Sequence, residues 1–198
     1  IRWARDLGAD LDTLTQAGAD LLVPLIEDHE LRALQIPGLV AEAEARGMEV
    51  RRFPIPDGST PRDPAAFRAF VRALAAEVRR DRTAVLHCRG GLGRTGVVGA
   101  CLLIELGVTG EEALAAVGRA RGPNCPENDR QRAYVREYAK AAPGPKPNPE
   151  PEAPSGTPAL VVRTLNLLAR EFTHHNKQHH QNDARDDREA KWQTRQRY

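Results

Sequence analysis

The stretch "AVLHCRGGLGRTGVVGACLLIELG", residues 84–107, decides the fold. It begins with a short apolar run that predicts a buried strand, and it ends with a longer apolar run that predicts a helix. Between the two lie His87, Cys88 and a loop rich in glycine. A glycine-rich loop that leads into a helix N-terminus turns its backbone N–H groups inward and binds anions. The stretch therefore predicts an anion site with a cysteine at its base.

Strand and helix patterns alternate on both sides of this stretch. Residues 19–27, 48–55 and 83–88 predict strands because they are short and apolar. Helices are predicted over 38–47 with Pro37 at the first helical position, 64–80 with Asp63 as N-cap, 95–106, 109–122 with a capping box of Thr109 and Glu112, and 127–140. We therefore expect an α/β fold with a central, largely parallel sheet and helices on both faces. Ligands bind at the carboxyl ends of such strands, where residues 88–94 fall.

Charge limits the class of binding partner. The chain carries 29 basic and 27 acidic residues, and the nine basic and seven acidic residues of 143–198 account for the whole net charge of +2. Residues 1–142 are therefore electrically balanced. A balanced domain lacks the broad basic face that sequence-independent nucleic-acid binding needs. We expect no nucleic-acid partner, and we expect a local pocket to hold any anion.

Composition divides the chain into three parts. Residues 1–142 predict one catalytic domain of ordinary size. Residues 143–158 are rich in proline and predict a stiff linker, and residues 159–198 predict a short helix followed by a disordered tail. The tail contains four histidines whose spacings suit a metal ion: His174, His175, His179 and His180. No carboxylate or cysteine accompanies them at matching spacing. We therefore expect a solvated tail, with no metal and no cofactor.

The cysteines and the absence of long apolar runs indicate the compartment. The chain has three cysteines, which cannot all pair, and it has neither a secretory signal pattern nor a run of membrane length. We expect a cytoplasmic monomer with no membrane partner. Cys101 lies among apolar residues and predicts a core position. Cys125 lies in a predicted loop, and if this loop approaches the anion site, a reversible disulfide with Cys88 could protect the thiol from oxidation.

Residues 88–94 carry the predicted chemistry. The planar fork of Arg94 can bind two oxygens of a tetrahedral oxyanion that is held by the loop N–H groups. The same positive field favours thiolate over thiol at Cys88. A thiolate beneath a bound phosphate is placed for in-line attack at phosphorus. The predicted phosphate-binding residues are Arg89, Gly90, Gly91, Leu92, Gly93 and Arg94.

Three further residues complete the predicted site. Attack on a phosphate ester expels an oxyanion that needs a proton, and Asp57, in a loop that can close over a substrate, is the candidate acid. A turn-capping role is the alternative for Asp57. Thr95 can hydrogen-bond the Cys88 sulfur and ease its departure. We expect His87 to fix the loop geometry through backbone hydrogen bonds.

The spacing His87-Cys88-x-x-Gly91-x-x-Arg94-Thr95 matches the His-Cys-x-x-Gly-x-x-Arg-Ser/Thr motif of the cysteine-dependent protein tyrosine phosphatases. With the upstream "PIPDGSTP" (54–61) it resembles the small dual-specificity group, most like the kinase-associated phosphatase (cyclin-dependent kinase inhibitor) type. The resemblance covers roughly residues 1–140. It implies a phosphatase fold with Cys88 as nucleophile, Arg94 as phosphate clamp and Asp57 as general acid and later base.

The resemblance departs from the family pattern at one pair. Many members have Ile-Gln where this chain has Pro126-Glu127, so the family's water-positioning glutamine is missing from its usual place. The resemblance implies a phosphorylated protein substrate carrying phosphotyrosine, phosphoserine or phosphothreonine. Three alternatives remain: a phosphate-binding module without turnover, a phosphatase of phosphoinositides or RNA 5′ ends, and a sulfurtransferase, which would not need Asp57 or Thr95. The apolar Leu92 and the balanced charge argue against the second.

Overall fold

The computed structural model describes residues 6–141 and has a three-stranded parallel sheet. The strands are β1 (Leu21–Pro24), β2 (Glu49–Val50) and β3 (Ala84–His87), in the order β2-β1-β3. β1 lies at the centre and is fully buried, as a strand covered on both faces must be. Its register pairs Leu21 with Glu49 on one side and with Ala84 on the other.

Seven helices surround the sheet within residues 6–141. They are α1 (Leu7–Gln16), α2 (Asp28–Ala33), α3 (Leu39–Ala45), α4 (Pro64–Val78), α5 (Gly93–Glu105), α6 (Gly110–Arg121) and α7 (Asp129–Lys140). The expected α/β class with a parallel sheet is confirmed.

The strand order determines where a ligand can bind. The chain moves from β1 to β2 and then crosses back over β1 to β3. Because such crossovers are right-handed, this reversal puts α2 and α3 on one face and α4 on the other. α3 accordingly packs with α1, whereas α4 packs with α5. The strand order therefore reverses between β1 and β3, and the loops after these two strands meet at that point, where ligands bind in open α/β sheets.

The second strand is shorter than predicted. The sequence predicts a strand over 48–55, but β2 ends at Val50. The cause is Pro24 in the neighbouring strand, because it has no N–H and its position in β1 faces β2. Phe53 still donates to the Pro24 carbonyl at 3.3 Å, but the bond cannot be returned. The chain beyond Val50 follows β1 without forming a regular ladder.

Several helix boundaries differ from the sequence prediction. α1 and α2 are not predicted at all, and α2 begins with a reciprocal capping box between Glu27 and Glu30. α3 begins at Leu39 after Gly38, so Pro37 precedes the helix. α5 begins at Gly93, two residues earlier than predicted, which brings the end of the glycine loop into its first turn.

The predicted caps of α4 and α6 are confirmed. Asp63 accepts hydrogen bonds from the N–H groups of Ala65 and Ala66, and Thr109 and Glu112 form the capping box. Within the described residues, no helix is long and apolar enough to span a membrane. The predicted linker, tail helix and tail histidines lie outside the described residues.

Candidate active site

Cys88 lies at the base of the glycine loop, immediately after β3. Its side chain is buried, and its sulfur accepts a hydrogen bond from the Gly91 N–H at 3.2 Å. Gly91 has φ +66°, a left-handed conformation that glycine adopts without strain, and this conformation turns its N–H toward the sulfur. The Thr95 hydroxyl lies 3.6 Å from the same sulfur. The Gly91 N–H and the Thr95 hydroxyl therefore both lie within hydrogen-bonding distance of the sulfur.

Arg94 connects three segments of the chain. Its guanidinium is 1% exposed and donates to both carboxylate oxygens of Glu30, at 2.6 and 2.9 Å. Nη1 also donates to the Ile55 carbonyl at 3.1 Å, and Nη2 donates to Asp57 at 2.9 Å. The predicted clamp and the predicted acid are thus in contact. The sequence did not indicate Glu30, whose carboxylate fixes the end of the guanidinium through these two hydrogen bonds.

The Arg94–Glu30 pair is electrostatically coupled. Burial lowers the pKa of Arg94, but the hydrogen bond with Glu30 and the negative charges of Cys88, Glu30 and Asp57 raise it above its ordinary value. Burial likewise raises the pKa of Glu30, but the bonds from Arg94 and Glu27 hold it below its ordinary value. Both groups are therefore charged at neutral pH, so the arginine is fixed in position before any ligand arrives.

Asp57 lies at the exposed tip of its loop. Its side chain is 58% exposed, and the oxygen that contacts Arg94 also accepts the Gly58 N–H at 3.1 Å. The loop turns through a bond from the Ser59 N–H to the Pro56 carbonyl at 3.0 Å. A carboxyl group that contacts the arginine and is open to solvent can reach a ligand bound in the glycine loop.

A second guanidinium supports the glycine loop from outside. Arg121, at the end of α6, donates from Nε and Nη2 to the Gly91 carbonyl at 3.0 and 2.9 Å. Burial lowers its pKa. This contact points the Gly91 carbonyl away from the sulfur and leaves its N–H facing inward. Sequence reasoning missed Arg121, because its partner Gly91 lies 30 residues away in the chain.

The remaining predicted loop residues occupy distinct positions. Arg89 and Gly90 are exposed, Leu92 packs against the core, and Gly93 opens α5. The main-chain carbonyl of His87 accepts the Leu25 N–H at 2.7 Å and ties β3 to the end of β1. The roles predicted for these residues stay predictions.

The two other cysteines are buried. Cys101 lies in the core, as predicted, and burial raises its pKa. Cys125 donates to the Leu92 carbonyl at 3.2 Å, and burial raises its pKa to about 12. Cys125 therefore lies beside the glycine loop as a neutral thiol. A disulfide with Cys88 stays a prediction.

The start of α7 borders the site, and sequence reasoning missed its role. Gln131 is fully buried, and its amide lies against Gly93, since a Cβ on that glycine would stand 2.9 Å from Nε2. The same Cβ would stand 2.7 Å from the carboxylate of the exposed Glu127. Gln131 donates to the Ser59 carbonyl at 3.0 Å, and Asn128 donates to the Gly58 carbonyl at 3.1 Å. A glutamine thus borders the loop, four residues after the place where the family pattern has one.

Among residues 6–141, one group of side chains has the spacing of a metal site. Glu27, His29 and Glu30 bring one ligand atom each within 4.8 Å of one another. Arg94 donates to both oxygens of Glu30, however, so the most buried member of the group is already committed. Glu30 therefore serves as the support of the arginine.

The chain matches known proteins in sequence and in fold. The family model described as "Polymorphic toxin system, DSP-PTPase phosphatase" matches residues 3–108. The chain is similar to cyclin-dependent kinase inhibitor 3 of Rattus norvegicus and Homo sapiens, with 29% identity over 136 residues in each case. These matches cover 68% of the chain and 64% of the relatives, so the chain spans less than two thirds of their length.

Two solved structures share the fold. One is the kinase associated phosphatase with a substitution of its catalytic site cysteine to serine, with 27% identity and a TM-score of 0.64, covering 70% of this chain and 80% of that one. The other is Tk-PTP in its active form, with 34% identity and a TM-score of 0.60, covering 68% of this chain and 87% of that one.

Proposed function

The chain belongs to the DSP-PTPase phosphatase family of polymorphic toxin systems, and from this premise we propose that it is a cysteine-dependent protein phosphatase. The catalytic domain comprises residues 1–142. Its substrates are proteins that carry phosphotyrosine, phosphoserine or phosphothreonine. A catalytic thiolate needs a reducing compartment, which agrees with the cytoplasmic location expected from the sequence.

The first step is capture of the phosphoryl group by the loop and Arg94. The Glu30 carboxylate lies at the end of the guanidinium and accepts one N–H of Nη1 and one of Nη2. The Ile55 carbonyl accepts the other N–H of Nη1, and the Asp57 carboxylate accepts the other N–H of Nη2. The side of the guanidinium formed by Nε and Nη2 is left for two phosphate oxygens once Asp57 moves aside. Other main-chain N–H groups of the glycine loop bind the remaining oxygens, while the Gly91 N–H stays on the Cys88 sulfur.

The second step is transfer of the phosphoryl group to sulfur. The Cys88 thiolate attacks phosphorus, the S–P bond forms, and the bond from phosphorus to the ester oxygen breaks. Asp57, released from Arg94 and carrying a proton, donates that proton to the departing oxygen. The loop N–H groups and Arg94 stabilise the charge on the equatorial oxygens.

The third step is hydrolysis of the thiophosphate. Asp57, now a carboxylate, accepts a proton from a water molecule, whose oxygen attacks phosphorus as the S–P bond breaks. The thiolate leaves with the electron pair, and the Thr95 hydroxyl, 3.6 Å from the sulfur, stabilises it by a hydrogen bond. Inorganic phosphate is released and the thiolate is restored.

A protein substrate is supported by the names of the relatives and by the charge of the domain. The curated relatives are called cyclin-dependent kinase inhibitor 3, and the similar solved structure is a kinase associated phosphatase. Residues 1–142 carry no net charge, and the glycine loop has Leu92 where a second basic residue would favour a polyphosphorylated lipid. We therefore propose a phosphoprotein substrate.

One observation carries the proposal: the Cys88 sulfur, the Arg94 fork and the Asp57 carboxyl meet at one end of the sheet. The test is hydrolysis of p-nitrophenyl phosphate and of tyrosine- and threonine-phosphorylated peptides, with EDTA present, by the wild type and Cys88→Ser. We expect turnover by the wild type and none by the variant. Equal turnover by both proteins would disprove the role of the cysteine.

A further inference from the structure

We propose that Asn128 and Gln131 are positioning residues that hold the Asp57 loop over the phosphate site. The side chains of Asn128 and Gln131 donate to two adjacent carbonyls of this loop. Asn128 donates to Gly58 at 3.1 Å, and Gln131 donates to Ser59 at 3.0 Å. The partners are 70 and 72 residues apart in sequence. Such distant contacts bring α7 to the loop that carries the acid.

The neighbours of Gln131 determine how its amide is oriented. Its Oε1 accepts the Glu127 N–H at 3.1 Å, so Nε2 is the end that donates to the Ser59 carbonyl. The side chain is completely buried and also packs against Gly93 at the start of α5. One amide therefore fixes the distance between the acid loop and the phosphate loop.

Asn128 performs two tasks with the two ends of its amide. Its oxygen caps α7 by accepting the Gln131 N–H at 3.0 Å, and its nitrogen donates to the Gly58 carbonyl. The cap needs only an oxygen, which serine also provides. The contact to Gly58 needs a donor of asparagine's length, so the two tasks can be separated by mutation.

The opposite side of the loop is fixed as well. The Ile55 carbonyl accepts from Arg94 at 3.1 Å, and the Ile55 side chain is buried. Thr60 is also buried, so the exposed tip consists of Asp57 and Gly58. Arg94 holds the segment before Asp57, while Asn128 and Gln131 hold the segment after it. Loss of either support displaces the carboxyl from the ester oxygen.

This inference rests on the proposed function, in which Asp57 protonates the leaving group. A displaced acid slows esters with poor leaving groups far more than esters whose leaving groups need little protonation. A merely structural role would slow both classes alike. The ratio of kcat/KM between phenyl phosphate and p-nitrophenyl phosphate is therefore the diagnostic quantity.

The test compares the wild type with Asn128→Ser, which keeps the helix cap and loses the donor to Gly58. We expect kcat/KM to fall about tenfold for phenyl phosphate and about twofold for p-nitrophenyl phosphate, as for loss of one hydrogen bond that positions an acid. The matched control is Asn124→Ser, an exposed asparagine of the same segment, which should leave the ratio unchanged. Gln131→Met, checked for folding by circular dichroism, should lower the ratio at least as much.

Hydrogen exchange of the loop gives a second readout that needs no turnover. Asn128→Ser should speed amide exchange in residues 57–60 about tenfold, while exchange in α7 stays slow because the cap remains. An unchanged substrate ratio together with unchanged exchange overturns the inference. Wild-type protein without phosphatase activity would disprove the proposed function, whereas the exchange result would still decide whether Asn128 holds the loop.

Discussion

Replacement of Glu30 by glutamine tests the buried ion pair that fixes Arg94. The Arg94 side chain is 1% exposed and that of Glu30 is 7% exposed, so water cannot solvate either charge when its partner is removed. The two oxygens of Glu30 accept two bonds from Arg94 and one from the Glu27 N–H at 2.9 Å. Glutamine has the same size but one acceptor oxygen and no charge. Glu30→Gln therefore leaves a buried guanidinium without its counter-charge.

The expected cost follows from the burial of both partners. Breaking a buried ion pair by removing one member costs about 3–5 kcal/mol. Because glutamine retains one oxygen, we expect a loss near the lower end, about 3 kcal/mol in the free energy of unfolding. For a domain of this size that corresponds to a fall in Tm of roughly 10 °C.

The pH dependence has a defined sign. Arg94 and Glu27 hold the pKa of Glu30 below its ordinary value of 4.5 despite burial, so the folded state favours the carboxylate. The stabilisation is therefore complete above pH 4.5 and is lost as the pH falls through the lowered value. The difference in stability between the wild type and Glu30→Gln should narrow in acid.

The assay is urea denaturation at pH 7 and at several values below pH 4.5. The control is Asp57→Asn, which removes the other carboxylate from the same guanidinium. Because Asp57 is 58% exposed, this variant should lose less than about 1 kcal/mol. Equal losses for the two variants, or a Glu30→Gln protein as stable as the wild type at pH 7, would refute the reasoning.

Three further predictions have defined outcomes. Asp57→Asn should lower kcat/KM for phenyl phosphate about a hundredfold, and far less for p-nitrophenyl phosphate; equal losses in steady-state assays would remove Asp57 from the acid role. Arg94→Lys should weaken inhibition by inorganic phosphate and lower kcat, because the fork is lost; near-normal kinetics would contradict a two-oxygen clamp. Gly96→Ala should lower the free energy of unfolding by about 1–3 kcal/mol, because its Cβ would stand 3.1 Å from the Pro126 backbone and 2.7 Å from Cys125 Sγ. The helical control Gly118→Ala, whose Cβ meets nothing closer than 3.8 Å, should gain up to about 1 kcal/mol in the same denaturation experiment.

The parts of the molecule that local sequence determines could be predicted. The glycine loop, its cysteine and its arginine lie within nine residues, and a strand before them and a helix after them follow from apolar patterns. The caps at Asp63 and Thr109 are local as well, since a side chain bonds a backbone N–H three residues away. The alternation of strands and helices then gave the parallel sheet and the edge where the site lies.

The parts that depend on distant contacts could not be predicted. Glu30 lies 64 residues before Arg94, and a single glutamate in a short helix carries no local sign of a buried partner. Asn128 and Gln131 contact the Asp57 loop across 70 and 72 positions in the chain, respectively. β2 was predicted too long because the missing N–H of Pro24 acts on a strand that lies elsewhere in the sequence. In each case the contact joins residues that are distant in sequence, so only the tertiary fold determines which residues meet.

Detection of a phosphoryl group on Cys88 would show directly that the cysteine is the nucleophile. The protein would be mixed with p-nitrophenyl phosphate in EDTA, quenched in acid within one turnover, digested and examined by mass spectrometry, with Cys88→Ser as control. We expect a thiophosphate on the Cys88 peptide of the wild type and none on the corresponding peptide of the variant. Turnover by the wild type with no phosphorylated Cys88 peptide, or with a phosphorylated peptide from elsewhere in the chain, would contradict this role of the cysteine.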